Sequence, residues 1–90
     1  MKLTILEKYV AIIFALAQQG PLKAVQLEAV TQIDITTLEK YLIFLAKQGA
    51  IEEQQPKDPI AYTVTSTGLK ILDFFRLSNS LETHENSLKY

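Results

Sequence analysis

One face of the segment from Asp34 to Gly49 carries residue types that suit nucleic-acid binding. Short hydroxyl side chains come first and lysines follow, at spacings that bring them to one side of a helix. The residues of this face are Thr36, Thr37, Lys40, Phe44 and Lys47. A DNA major groove accepts such a face, because acidic or bulky side chains would repel the phosphates or clash with the base edges. The same face is also compatible with simple exposure to solvent.

Three further side chains are candidates for contacts with the DNA backbone. We expect Tyr41 to be partly buried, with its hydroxyl able to reach a phosphate. Lys23 lies near the start of a second predicted helix, where a phosphate would also meet the N–H groups of the first turn. Lys57 is the one cation at the tip of a predicted hairpin, and such a cation contacts DNA in some proteins and only solvent in others.

The sequence offers no set of residues for catalysis, metal binding or cofactor binding. His84 is the one histidine and there is no cysteine, so neither a Ser-His-Asp triad nor a thiolate metal site can be assembled. Glu52 and Glu53 are adjacent on a predicted strand, and their side chains therefore point to opposite faces. Three scattered glycines form no phosphate-binding loop. We therefore predict a protein that is not an enzyme and needs no cofactor.

The hydroxyl-and-lysine face requires a helix, and the segment is bounded by residues that favour helix ends. Asp34 is a good N-cap and Gly49 a good C′ residue. Its core side consists of Leu38, Leu42 and Leu45. Residues 22–31 predict a shorter helix and residues 31–34 a turn. Two helices joined in this way form a helix-turn-helix, whose second helix is the candidate reader of DNA.

A β-hairpin and a last helix are predicted after Gly49. Residues 50–55 and 60–65 favour strands, and the two prolines between them favour a turn. The hairpin is either the wing of a winged helix or a plain hairpin that closes the core. Thr65 can cap a final helix from Ser66 to at least Leu77, with an extension toward residue 82. The fold class is therefore mainly α with a small β-hairpin, in the order α1-α2-α3-β-β-α4.

Helix 1, predicted over residues 3–19, is apolar on two sides and therefore needs two partners. One partner is the core of the domain. The other is either a second subunit or the C-terminal helix of the same chain. From residue 74 the last helix has apolar residues at the spacing of a coiled-coil seam. The candidate subunit contacts are Ile5, Ile12, Phe74, Leu77 and Leu81.

Composition sets limits on the whole chain. Ninety residues correspond to one small domain, which we assign to residues 1–77, with 78–90 continuing the dimer helix and fraying into a polar tail. The net charge of −1 disfavours a protein that coats DNA without sequence preference. The balance is +1 over residues 1–50 and −2 over 51–90. With no cysteine, no signal peptide and no apolar run near the ~20 residues of a membrane span, we expect a cytoplasmic, nucleoid-associated protein.

Several phrases of the sequence resemble a known family. They are Gly20-Pro21-Leu22-Lys23, the stretch from Leu38 to Ile51, and the Tyr-x-x-Thr-x-x-Gly phrase that begins at Tyr62. Over residues 3–77 the chain resembles the archaeal winged-helix family of small, about ten-kilodalton DNA-binding proteins and predicted transcriptional regulators. The resemblance implies a reading helix at 35–48, a wing at 54–60, and a C-terminal helix that pairs two subunits in an antiparallel coiled coil.

Two functions are therefore compared. The first is a homodimeric transcription regulator that reads double-stranded DNA with the helix at 35–48. The second is a winged helix that docks on a protein partner through its apolar faces, with little or no DNA binding. Salt distinguishes them, because DNA binding weakens steeply with salt and an apolar interface does not.

Overall fold

The computed structural model describes residues 4–54 and 60–88, and the side chains of 4–54 and 60–77. Within these residues the chain forms four α-helices and three β-strands. In chain order they are α1 (Ile5–Gln19), β1 (Leu22–Lys23), α2 (Ala24–Thr31), α3 (Ile35–Lys47), β2 (Ile51–Gln54), β3 (Ala61–Val64) and α4 (Ser66–Leu88). The predicted order of the helices and of the hairpin is confirmed.

Helix α1 begins with a capping box. The Thr4 hydroxyl accepts a hydrogen bond from the Glu7 N–H (3.1 Å), and the Glu7 carboxylate accepts one from the Thr4 N–H (2.8 Å). The helix then crosses the centre of the domain and contacts α2, β3 and α4. Its second apolar side therefore packs on the chain's own last helix, which was one of the two alternatives that the sequence left open.

The position of Ile12 corrects one sequence-based prediction. Its side chain is 0% exposed and belongs to the core of its own chain. A residue that is wholly enclosed in one chain has no surface to offer to a second. Ile12 therefore does not belong among the candidate subunit contacts.

The sheet has three strands rather than the two of the predicted hairpin. The strand order is β1-β3-β2 and both pairs are antiparallel, with Leu22 opposite Tyr62 in the first pair and Glu53 opposite Tyr62 in the second. Helix α2 consequently begins at Ala24, two residues later than predicted. The reason is that Leu22 is buried and its backbone pairs with β3. A helical conformation at Leu22 would prevent this pairing.

The end of α3 is tied to the start of α4 through a junction of four residues. Helix α3 ends in a Schellman motif, in which Gly49 has a φ of 77° and the Ala50 N–H donates to the Leu45 carbonyl (2.9 Å). The Thr65 hydroxyl donates to the Gly49 carbonyl and accepts from the Gly68 N–H (3.2 Å). The Thr65 N–H donates to the Ala50 carbonyl (3.1 Å). The caps predicted at Gly49 and Thr65 are confirmed, and both belong to this junction.

Helix α4 continues to Leu88, past the extension toward residue 82 that the sequence predicted. Leu72 is buried against the core and Phe75 packs beside it. Phe74 and Leu77 point away from the domain and are 73% and 60% exposed. The side chain of Leu81 lies outside the described part of the chain.

Candidate nucleic-acid interface

The start of α3 is held by two carboxylates from different elements. Asp34 accepts a hydrogen bond from the Thr36 N–H (3.1 Å), as expected of an N-cap. Glu28, on α2, accepts one from the Ile35 N–H (3.0 Å). The turn between the helices contains Gln32 in the left-handed conformation, with a φ of 60°. The two carboxylates satisfy N–H groups that α3 cannot satisfy itself, and they fix the angle at which α3 leaves α2.

One side of α3 faces solvent along the whole length of the helix. Thr36, Lys40, Ile43 and Lys47 are all exposed, and their spacing of four, three and four residues places them in one row. We call these four residues the outer strip. The core side of the helix is Leu38, Leu42 and Leu45, each at most 3% exposed. The two lysines give the strip a charge of +2, and no described residue of the sheet or of α4 covers it.

The aromatic residues predicted for the DNA face lie beside the outer strip and pack on α1. The Phe44 ring stacks on the Tyr9 ring with 5.1 Å between centroids, and Tyr41 meets Tyr9 edge-on at 5.0 Å. Tyr41 is half-buried, as predicted, while Phe44 is 42% exposed. Thr37 is also half-buried. The Tyr41 and Phe44 rings join α3 to α1, and the exposed edge of Phe44 adds to the surface beside the strip.

The sheet side of α3 is acidic. Tyr62 packs against the core, and burial raises the pKa of its hydroxyl above the ordinary value of 10.0, with further contributions from the nearby carboxylates of Glu53 and Glu39. Glu39 comes from α3 and Glu53 from β2, so both helix and sheet place negative charge here. The charge therefore changes sign across α3, from the lysines of the outer strip to the carboxylates beside the wing.

The predicted backbone contact Lys23 lies at the start of α2, outside the outer strip. Lys23 is exposed and is the N-cap of α2, where its backbone N–H donates to the Gln26 side chain (2.8 Å). Its ammonium group is therefore on the first helix of the helix-turn-helix. Lys57 falls in the predicted wing tip, which lies outside the described residues.

Ile43 and Glu28 were missed in the sequence. Ile43 is 61% exposed at the centre of the outer strip, and its signal was the regular spacing from Lys40 and Lys47. It went unnoticed because an isoleucine is ordinarily assigned to the core. Glu28 caps a helix that begins seven residues later, and no pattern within one helix could have indicated that contact.

A second surface is apolar and lies around α1 and α4. Ile5, Leu6, Phe74 and Leu77 are all more than half exposed. Between the two helices is a cleft of about 440 Å³, whose lining is mostly apolar and includes one acid and one base, Glu7 and Arg76. The predicted contacts Ile5, Phe74 and Leu77 thus lie on the surface, as a subunit contact would require.

The described part of the chain has neither a membrane-spanning helix nor a cluster of metal-ligating side chains. No helix there combines the length and the apolar character that crossing a membrane would require. The same residues contain no group of three or more histidine, cysteine, aspartate or glutamate side chains placed to hold a metal ion.

Comparison with known proteins identifies the fold. Neither a family model nor a curated protein sequence matches the chain. A MarR family transcription regulator does match in structure, with a TM-score of 0.81 and 21% identity over 98% of this chain and 59% of that one. The oxidized form of MarR from Escherichia coli matches with a TM-score of 0.76 and 17% identity, over 90% of this chain and 60% of that one. The fold is a winged helix.

A third structural neighbour is a protein with regulated DNA binding. It is BpsR of Bordetella bronchiseptica, whose DNA binding is regulated by 6-hydroxynicotinic acid, and it has a TM-score of 0.75 and 20% identity over 93% of this chain and 60% of that one. At these identities the likeness is one of fold. The chain spans about 60% of the length of each of these three proteins.

Proposed function

We propose that this protein is a DNA-binding transcription regulator that reads the major groove with the outer strip of α3. The observation that carries the proposal is the strip itself, with a hydroxyl and two lysines exposed on the second helix of a helix-turn-helix. Small and cationic side chains at this place meet base edges and phosphates without repulsion. The winged-helix regulators that it resembles in structure support the same function. Cytoplasmic, nucleoid-associated localisation follows from that function.

Lys40 and Lys47 would contact phosphates, and Thr36 a base edge near the start of the helix. Lys23 would reach the backbone from the start of α2, and Lys57 from the wing. Tyr41 and Phe44 would mainly hold α3 in place, since both rings contact Tyr9. Thr37 is half-buried and would add a hydroxyl at the edge of the contact.

We further propose that the protein is a homodimer through the apolar residues of α1 and α4. Phe74 and Leu77 lie on the side of α4 opposite the buried Leu72, so a second chain would cover them without disturbing the core. Two-fold pairing would place two α3 helices in one particle, as symmetric DNA sites require. Kinship with the small archaeal winged-helix proteins is part of the same proposal, supported by Thr65 and Gly68 of the shared phrase.

DNA binding is tested by measuring the dissociation constant for a fluorescent 24-bp duplex between about 50 and 200 mM salt. Each phosphate contact contributes roughly 0.9 to the slope of log K against log salt. We expect Lys40→Gln and Lys47→Gln each to lower that slope by nearly one unit. The matched control is Lys70→Gln, which removes the same charge from an exposed site on α4.

Two outcomes count against DNA reading by α3. One is a complex whose affinity does not depend on salt, which would favour the protein-docking function. The other is an equal effect of the three substitutions, which would show that only net charge matters.

The dimer is tested by sedimentation, where Phe74→Ser with Leu77→Ser should reduce the mass from two chains to one. Val25→Ser on α2, also strongly exposed, should leave the mass unchanged.

A further inference from the structure

The outer strip contains one side chain that cannot contact a phosphate or form a hydrogen bond with a base. Ile43 lies one turn after Lys40 and one turn before Lys47, and it is 61% exposed. Ile43 contributes little to the packing of its own chain, because the core contacts of α3 are made by Leu38, Leu42 and Leu45. A β-branched residue is also a weaker helix former than the lysines beside it. Its place at the centre of the strip therefore needs another explanation.

The chemistry of the major groove supplies one. An isoleucine side chain has neither a donor nor an acceptor, so the N–H and oxygen groups of the base edges offer it nothing. The one apolar group on those edges is the C5 methyl of thymine. We propose that Ile43 packs against thymine methyl groups and makes the protein prefer DNA with thymine at the position that it faces. This inference rests on the proposed function and names the base that the outer strip reads.

The neighbours of Ile43 favour this contact. Lys40 and Lys47 lie on both sides of it along the helix, so phosphate contacts by the two ammonium groups would set the depth of α3 in the groove. With that depth set, the residue midway between the lysines is the one that faces the base edges. Removing one methyl group from such a contact should weaken binding about fourfold, the value for one buried CH₂ or CH₃ group.

The experiment removes the C5 methyl group from thymine and adds one to cytosine, and neither change alters base pairing. Dissociation constants are measured for four alternating 24-bp duplexes: d(A-T), d(A-U), d(G-C) and d(G-5-methyl-C). Uracil is thymine without the methyl group, and 5-methylcytosine carries a methyl at the equivalent position. We expect the protein to bind d(A-T) about fourfold or more tightly than d(A-U), and d(G-5-methyl-C) more tightly than d(G-C).

The same measurements on two variants assign the effect to one residue. Ile43→Ala should bind d(A-T) and d(A-U) equally, with an unchanged salt slope and unchanged helical circular dichroism. Leu69→Ala is the matched control, because Leu69 is an exposed aliphatic residue on α4, and it should keep the preference for the methylated duplexes.

Each outcome decides the matter. Equal affinity of the unaltered protein for the d(A-T) and d(A-U) duplexes would overturn the assignment of Ile43 and leave DNA binding in place. A methyl preference that persists in Ile43→Ala would also overturn it, because another residue would then be the reader. Failure to bind any of the four duplexes would overturn the proposed function together with this inference.

Discussion

Gly68 gives the most direct test of the junction between α3 and α4. A Cβ atom at this position would lie 2.2 Å from the Ala50 carbonyl oxygen and 2.7 Å from a methyl carbon of Val64. Ordinary non-bonded contacts are about 3.5 Å or more, so Gly68→Ala must separate α4 from Ala50 by about 1 Å. The same Ala50 oxygen accepts the Thr65 N–H hydrogen bond at 3.1 Å. The separation therefore also weakens the hydrogen bonds of Thr65.

The size of the effect follows from three terms. Overpacking costs about 1–3 kcal/mol, and the two weakened hydrogen bonds, from Thr65 to the Ala50 and Gly49 carbonyls, contribute about 1 kcal/mol each. Alanine is a better helix former than glycine, which offsets about 1 kcal/mol of this loss in the free energy of unfolding. We therefore expect Gly68→Ala to lower the free energy of unfolding by about 2–4 kcal/mol, which for a domain of this size lowers Tm by about 10–25 °C.

The assay is urea unfolding followed by circular dichroism, with thermal unfolding as a second measure. Gly49→Ala is the matched control. A Cβ at Gly49 would have no atom within 4 Å, so only the positive φ of 77° opposes that substitution, at a cost of about 1 kcal/mol. A Gly68→Ala protein as stable as the unaltered chain would refute the close approach of α4 to Ala50, whatever Gly49→Ala does.

Three further substitutions test single local interactions. Asp34→Ala should lower the free energy of unfolding by about 1 kcal/mol in urea titrations, because α3 loses its side-chain cap; an unchanged midpoint would contradict this cap. Gln32→Gly should raise that free energy by about 0.5–1 kcal/mol, since glycine adopts the left-handed conformation without the Cβ penalty, and a loss of stability would count against that turn. Tyr62→Phe should remove a late-ionising component from the absorbance titration at 295 nm, because burial and the Glu53 and Glu39 carboxylates raise the Tyr62 pKa. If the pKa of Tyr62 were not raised, the component lost in Tyr62→Phe would instead titrate at the ordinary value near 10.

The raised pKa of Tyr62 also fixes a direction for stability against pH. The folded chain holds the hydroxyl proton more tightly than the unfolded chain, so the unfolded state gains more from ionisation once the pH passes the ordinary value near 10. Stability should therefore fall as pH rises through the alkaline range, and Tyr62→Phe should reduce that fall.

The parts of the fold that the sequence predicted correctly depend on neighbouring residues. The cap at Asp34, the turn at Gly49 and the core side of α3 are all properties of a single helix and its ends. Apolar residues spaced three and four positions apart indicate the core side of a helix directly. For this reason the exposed side of α3, with Thr36, Lys40 and Lys47, could be predicted before the structure was known.

The parts that the sequence did not predict depend on pairing between distant segments. Strand β1 is two residues long and has no periodicity of its own; it exists because Leu22 and Lys23 pair with β3, about forty positions later in the chain. The burial of Ile12 likewise depends on the packing of several elements around α1, which contacts α2, β3 and α4. Phe44 was predicted to contact DNA, but its ring stacks on Tyr9 of α1. Nothing in the sequence of α3 indicated that Tyr9 would be its partner.

The junction at Gly49, Ala50, Thr65 and Gly68 connects the two proposed surfaces. It joins the last turn of α3 to the first turn of α4 through short backbone contacts, so α3 and α4 are held at one angle. In a two-fold dimer that angle would set the distance between the two outer strips, and thus the spacing of the half-sites. Thr65→Val keeps the shape of the side chain but removes its hydroxyl, which donates to Gly49 and accepts from Gly68. We therefore expect Thr65→Val to weaken binding to a two-site duplex more than to a single site, although it touches neither surface; an equal loss on both duplexes would contradict this coupling.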